Sequence, residues 1–209
     1  GEDRSREILV GSHVDTVPHG GNFDGAAGVI AGIAAQAVFH AAHRRPPFDL
    51  TVVALRAEES CWFPHSYVGS KTALGILDSA VPDSVKRSDT GKTLAEHMRE
   101  AGFDPDAVKE GAHRVNSERT IAYIEPHIEQ APILVIDNLP VGVVTGIRGS
   151  FRYRQAKCIG AYAHSGAMPR EYRKDAVMAT GDLIQGMDSF WDEMEAENAD
   201  LTVTFGELG

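Results

Sequence analysis

Histidines and carboxylates recur along this chain in four short groups: His13 with Asp15, Asp24 alone, the adjacent pair Glu58-Glu59, and His127 with Glu129. Any one of them is ordinary. A histidine at a strand end is most often a satisfied structural residue, and neighbouring acids most often face solvent. Brought together they are costly, because like charges in a cleft repel and raise one another's pKa. A divalent cation removes that cost. Mixed imidazole and carboxylate ligation suits zinc or manganese better than calcium, whose shell is all oxygen. Two adjacent glutamates can then divide the labour, one on the metal and its neighbour taking a proton from metal-bound water.

The elements that must position these groups follow from the apolar pattern. Residues 7–14 (EILVGSHV) and 49–55 (DLTVVAL) are short apolar runs of the kind that form buried parallel strands. Between them a Pro- and Gly-bearing loop, Thr16–Gly25, leads into Ala26–His43, apolar nearly all round and predicted as a buried helix that Pro46 and Pro47 stop. Strand, helix and strand with polar clusters at the strand ends predict an α/β sheet whose site lies at its carboxyl edge. Residues 120–128 and 141–147 read as further strands, with Pro126 at a rim or bulge. Residues 93–101 form a short helix, with Thr93 and Glu96 as its capping box and Gly102 as its stop.

The pattern changes after Gly149. Residues 151–159 alternate like a half-exposed strand, GAYAHSGAMP is a loop, and 173–198 carry a helical stripe at Val177, Ile184, Met187, Trp191 and Met194. Leu201–Phe205 alternates again. The reading is therefore a catalytic domain over 1–148 and a small α+β domain over 149–209. The acid-rich tail from Asp188 to Asp200 is a solvated face.

Composition excludes several classes. The 209 residues carry 30 acids against 20 bases, a formal charge of −10, which argues against a nucleic-acid surface. The most apolar stretch, Ala26–Ala42, contains Gln36 and His40 and is too short for about 20 unbroken apolar residues, so no membrane span is expected. GEDRSREILV mixes both charge signs and is no signal peptide. Two cysteines, Cys61 and Cys158, make no disulfide framework, and a reducing, cytoplasmic setting is the expectation. Cys61 is read as a packing residue, and His40 and His43 as caps of a helix C-terminus.

Five ordered motifs then carry a resemblance: GSHVDTVPHGGNFDGAAGV, AEESCWFPHSYVGSKTALG, EPHIEQAPIL, VGVVTGIRG and AHSGAMPREYRKDAV. Together they resemble the M20-type metallohydrolases. Within these, the chain is similar to the hydantoinase/carbamoylase branch of N-carbamoyl-L-amino-acid hydrolases, allantoate amidohydrolases and β-ureidopropionases. The resemblance implies two divalent metal ions, with zinc, manganese, nickel and cobalt all open. It implies His13 and Glu59 or His127 as terminal ligands, Asp24 as the bridge and Asp15 as the carboxylate that orients the His13 ring. It makes Glu58 the general base and His164 the group that stabilises the oxyanion. Gln130 and Arg152 become substrate contacts, and the second domain a lid and dimerisation surface whose His164 reaches the partner's site.

The implied reaction is hydrolysis of a linear non-peptide C–N bond in a small molecule, an N-carbamoyl amino acid or a ureido compound such as allantoate. An M20 peptidase or aminoacylase is the alternative enzyme, and a non-catalytic dimerising remnant the alternative from another class. Ala131, Ala167, Met168, Arg170 and Pro126 depart from the family pattern near the pocket and lid, which bears on substrate identity. Family members are much longer and have a final histidine ligand downstream. His164 is the last histidine here, so the chain is expected to be part of something longer.

Overall fold

Strand β1 (Asp3–His13) is the centre of a three-stranded sheet in the order β2-β1-β3, with β2 (Phe48–Leu55) and β3 (Thr120–Ile124) both parallel to it. Parallel register decides what meets what. His13 lies opposite Leu55 on one side, and Val10 opposite Ile124 on the other. The residues that follow Leu55 and Ile124 therefore leave the sheet at the edge where His13 ends. This is the carboxyl edge, where an open α/β sheet binds its ligands.

Helix α1 (Ala26–Ala41) makes the crossover from β1 to β2 and lies against both strands through Gly28 and Gly32. A Cβ on Gly28 would stand 2.1 Å from the Pro126 carbonyl oxygen and 2.7 Å from the Ser12 Cβ, so only glycine admits the helix this close. The outer face of α1 is open. Ile30, Ile33 and Val38 are exposed, and only Gly28 and Gly32 are buried. The all-round apolar pattern is thus not matched by all-round burial, because only the sheet side of α1 is covered.

Between β2 and β3 run four short helices: α2 (Val68–Ala73), α3 (Val81–Ser84), α4 (Leu94–Glu100) and α5 (Pro105–Lys109). Val68, Val81 and Leu94 from these helices and Phe63 and Leu77 from the connecting segments form a small core. Helix α4 has the expected capping box between Thr93 and Glu96, and Gly102 ends it at φ +81°. After β3 comes one further turn of helix, α6 (Ile133–Ile136).

The structure, a computed structural model, describes residues 1–147, 153, 156–206 and 208. It divides into two compact units, Gly1–Asn138 and Leu139–Gly209, and the division falls ahead of the boundary expected after 148. In the second unit a single 3₁₀ turn (Arg170–Tyr172) precedes α7 (Ala176–Ala196), which is capped by the Asp175 side chain. The partly covered stripe of α7 runs through Ala176, Thr180, Ile184, Met187, Trp191 and Met194. Val177, expected on that stripe, is exposed because it sits one residue around the helix.

Residues 141–147 and 201–205 are not strands, and the described residues contain no strand after Ile124. Alternating apolarity needs a neighbouring strand to pair with, and neither stretch has one among the described residues. Most of the strand expected over 151–159, with Arg152, lies outside the described residues. No helix among the described residues is long and apolar enough to cross a membrane.

Candidate metal centre

His13 closes β1, Asp24 stands two residues before the first residue of α1, and His127 follows β3 by three residues. The shared register and the return of α1 over the sheet bring one atom of each together. His13 Nε2 lies 3.3 Å from His127 Nε2 and 3.9 Å from Asp24 Oδ1, and His127 Nε2 lies 3.3 Å from the same oxygen. The Asp24 side chain is fully buried, that of His13 nearly so, and that of His127 about a third exposed. One side of the group therefore opens to solvent.

Ring tautomers follow from the outer nitrogens. His13 Nδ1 meets the Asp15 main-chain carbonyl at 2.5 Å, and His127 Nδ1 meets that of Ile128 at 2.8 Å. A carbonyl only accepts, so each Nδ1 is an N–H, and in the neutral rings each Nε2 carries a lone pair. Two lone pairs and a carboxylate oxygen then face one another. Among the described residues, the partners of Asp24 are these imidazoles, the Thr16 hydroxyl on Oδ2 at 3.0 Å and the Gln130 amide on Oδ1 at 3.3 Å. None carries a fixed positive charge.

Such a donor set fits a divalent cation. Two nitrogens each about 2.0–2.1 Å from a tetrahedral zinc stand roughly 3.3–3.4 Å apart, the separation seen between His13 and His127. Among the described residues these three form the one convergent group of metal-ligating atoms. Gly25 makes it possible. Its φ of +67° is left-handed, and a Cβ there would come 2.4 Å from His13 Nδ1.

The Glu58-Glu59 pair is held differently. Past Leu55 the chain turns at Ala57, whose φ is +53°. The Asp15 carboxylate pins that turn: Oδ1 accepts the Glu58 N–H at 3.1 Å and Oδ2 the Glu59 N–H at 3.0 Å. Asp15 is expected to orient the His13 ring, and its two kinds of oxygen have different partners here. Its carbonyl orients the His13 ring, and its carboxylate is spent on the glutamate turn. The Glu58 carboxylate accepts from Ser70, at 2.7 Å from the hydroxyl and 3.0 Å from the N–H. Neither Glu58 nor Glu59 belongs to the convergent group. Glu129 is also accounted for otherwise, as its carboxylate takes the N–H groups of Ile133 and Leu134 at the start of α6.

A polar layer that runs from buried Ser12 to the exposed Tyr123 and Glu125 backs the site. Ser12 donates to Glu125 at 2.6 Å. Burial, and after it the charges of Glu125 and Glu58, push the Tyr123 phenol far above its ordinary range, so this hydroxyl stays protonated. Thr16, Gly25, Ser70, Tyr123 and Glu125 carry no sequence signal of their own. Thr16, Gly25, Ser70 and Glu125 do lie inside the motifs that carry the resemblance, and that membership is the one signal that could have found them. His164 lies in the second unit, in a loop described below.

Known proteins match this chain along nearly its whole length. A family model described as Peptidase family M28 matches residues 1–90, where the motifs resemble M20-type enzymes. The chain is 36% identical over 203 residues to an N-carbamoyl-L-amino acid amidohydrolase of Geobacillus stearothermophilus, covering 96% of this chain and 47% of that protein. It is 33% identical over 201 residues to an allantoate amidohydrolase of Bacillus subtilis (strain 168), with the same coverage of each. Among solved structures, a hydantoinase/carbamoylase family amidase from Burkholderia ambifaria aligns with a TM-score of 0.66 at 27% identity, over 97% of this chain and 47% of that one. The chain thus spans about half the length of the curated relatives it matches.

Proposed function

This chain belongs to the hydantoinase/carbamoylase family, and from that premise we propose that it is part of a metal-dependent amidohydrolase. The bond cleaved is a linear non-peptide C–N bond, in an N-carbamoyl amino acid or a ureido compound such as allantoate. The observation that carries this reading is the convergence of two imidazole nitrogens and the Asp24 carboxylate, 3.3–3.9 Å apart, with no lysine or arginine among the described residues to balance them.

In this reading His13, Asp24 and His127 hold a divalent ion, zinc or manganese by donor type, with nickel and cobalt open. Glu59, with Asp24, would hold a second ion. Bound metal supplies Lewis acidity toward the substrate carbonyl and makes water a competent nucleophile at neutral pH. Glu58 accepts the attacking water's proton on its carboxylate and later returns it to the leaving nitrogen. Ser70 supports that role by fixing the carboxylate's orientation through two hydrogen bonds. Gln130 orients the substrate, and Arg152 receives its carboxylate. The His164 ring, from the lid domain, donates to the carbonyl oxygen as negative charge develops. The lid also forms a homodimer, and His164 serves the partner's site. A reducing compartment, the cytoplasm, suits the free thiols of Cys61 and Cys158.

The test is a parallel assay of the complete protein on N-carbamoyl amino acids, allantoate and dipeptides, before chelation, after it, and after metal is restored. Hydrolysis of a carbamoyl or ureido compound that chelation removes and metal restores is the expected outcome. Hydrolysis of dipeptides alone would make it a peptidase, and activity unchanged by exhaustive chelation would refute the metal reading.

A further inference from the structure

The loop carrying His164 is closed by its own backbone. Ala161 N–H donates to the Lys174 carbonyl at 2.9 Å, and Met168 N–H to the His164 carbonyl at 3.2 Å. Inside it, the N–H groups of Gly166 and Ala167 both donate to His164 Nδ1, at 3.2 and 3.1 Å. A ring nitrogen that accepts two N–H bonds carries no proton, so the neutral ring holds its hydrogen on Nε2. These two donors sit between Ser165 and Met168, whose carbonyls both accept from Arg173 Nη2, each at 2.9 Å. Arg173 itself is anchored between the 3₁₀ turn at 170–172 and the Asp175 cap of α7. The latch thus ties a single-turn loop to the root of a 21-residue helix.

We propose that Arg173 is a positioning residue: it holds the Ser165–Met168 turn so that its amides fix His164 as the Nε2–H tautomer, an exposed hydrogen-bond donor ready to meet a developing oxyanion. The tautomer stands on the hydrogen bonds alone; its use rests on the reaction proposed above. A guanidinium suits the task because it is permanently charged and its N–H directions are fixed by a planar frame. Methionine fills similar volume with no donor, and lysine keeps the charge on a shorter, freer stem.

The experiment is nitrogen NMR of the complete protein labelled at histidine, with the His164 signals assigned by their loss in His164→Ala, beside kinetics of Arg173→Met and Arg173→Lys. The wild-type ring should show a protonated Nε2 and an accepting Nδ1. Arg173→Met should mix the tautomers and lower kcat by about 10–100-fold with KM nearly unchanged, since a donor out of place loses transition-state contact. Arg173→Lys should recover part of both. A wild-type His164 protonated on Nδ1, or a tautomer indifferent to both substitutions, overturns the proposal. If the tautomer responds as expected while no carbamoyl or ureido compound is hydrolysed, the latch stands and the proposed reaction fails.

Discussion

The two ends of one sheet solve the same electrostatic problem in opposite ways. At the amino edge the buried Glu7 carboxylate is met by Arg119 Nη1 at 3.0 Å and by the hydroxyls of Thr51 and Thr120 at 2.8 and 3.2 Å. Arg119 also pairs with Asp49. One residue from each strand or its flank is tied in, and the charge is balanced from within the chain. At the carboxyl edge Asp24 is buried at least as deeply, yet its partners are a hydroxyl, an amide and two imidazoles whose lone pairs point inward. A buried carboxylate is tolerated only when paired, hydrogen-bonded or bound to metal. The amino edge is a structural lock complete in itself, whereas the carboxyl edge gathers, among the described residues, a donor set with room for a cation and no lysine or arginine.

The sharpest way to break that contrast is to remove the uncompensated carboxylate. Asp24→Asn should cost activity of the complete enzyme about 10⁴-fold, since metal catalysis contributes several kcal/mol, while its melting temperature without metal holds or rises. Kinetics beside calorimetry of the metal-free protein check both halves. The contrast is weakened if Asp24→Asn unfolds the metal-free protein.

Glu58→Gln comes next. It should lower kcat about 10³-fold, in the range of a lost general base, with metal content unchanged; Glu59→Gln should instead shed metal, with activity partly restored by excess ion. Metal analysis and single-turnover kinetics separate the two, and the opposite pattern would exchange their roles.

At the amino edge the expected effect is stability alone. Arg119→Met strands Glu7 and should cost about 2–4 kcal/mol of unfolding free energy, somewhat below a fully buried pair because Arg119 is about a third exposed. Adding Glu7→Gln should return part of it. Denaturant unfolding measures this, and kcat per folded molecule should not move. The smallest effect is far from both edges: Thr93→Ala, which removes the α4 capping box, should cost about 1 kcal/mol and leave metal content untouched.

Which parts of this were legible beforehand follows from how far apart the partners lie. Strands β1 and β2, the helix between them and the capping box are written in contiguous residues, so pattern and spacing suffice. His13, Asp24 and His127 stand out by residue type, and they converge in the structure because parallel strands carry their polar ends to one edge. The contacts of the Asp15 carboxylate are not legible in the sequence, because its partners are backbone N–H groups 43 and 44 residues away, and every residue has a backbone N–H. Glu129 stands beside His127 in sequence, but its carboxylate takes backbone N–H groups only four and five residues on, which residue type does not reveal. The stretches 141–147 and 201–205 alternate like strands, but pairing is a property of neighbours. Helix α1 is apolar on both faces while only one is covered. Periodicity reports what a face could bury, and packing decides which face does.

The central claim is that His13, Asp24 and His127 together bind a divalent cation, and cobalt(II) titration of the complete, chelator-stripped protein tests it directly through the absorption of the bound ion. The account predicts saturable binding with imidazole-type ligand bands that His127→Ala and Asp24→Asn each weaken at least about 10-fold. Binding of the same stoichiometry and affinity in the wild type and both variants would place the ion elsewhere and contradict it.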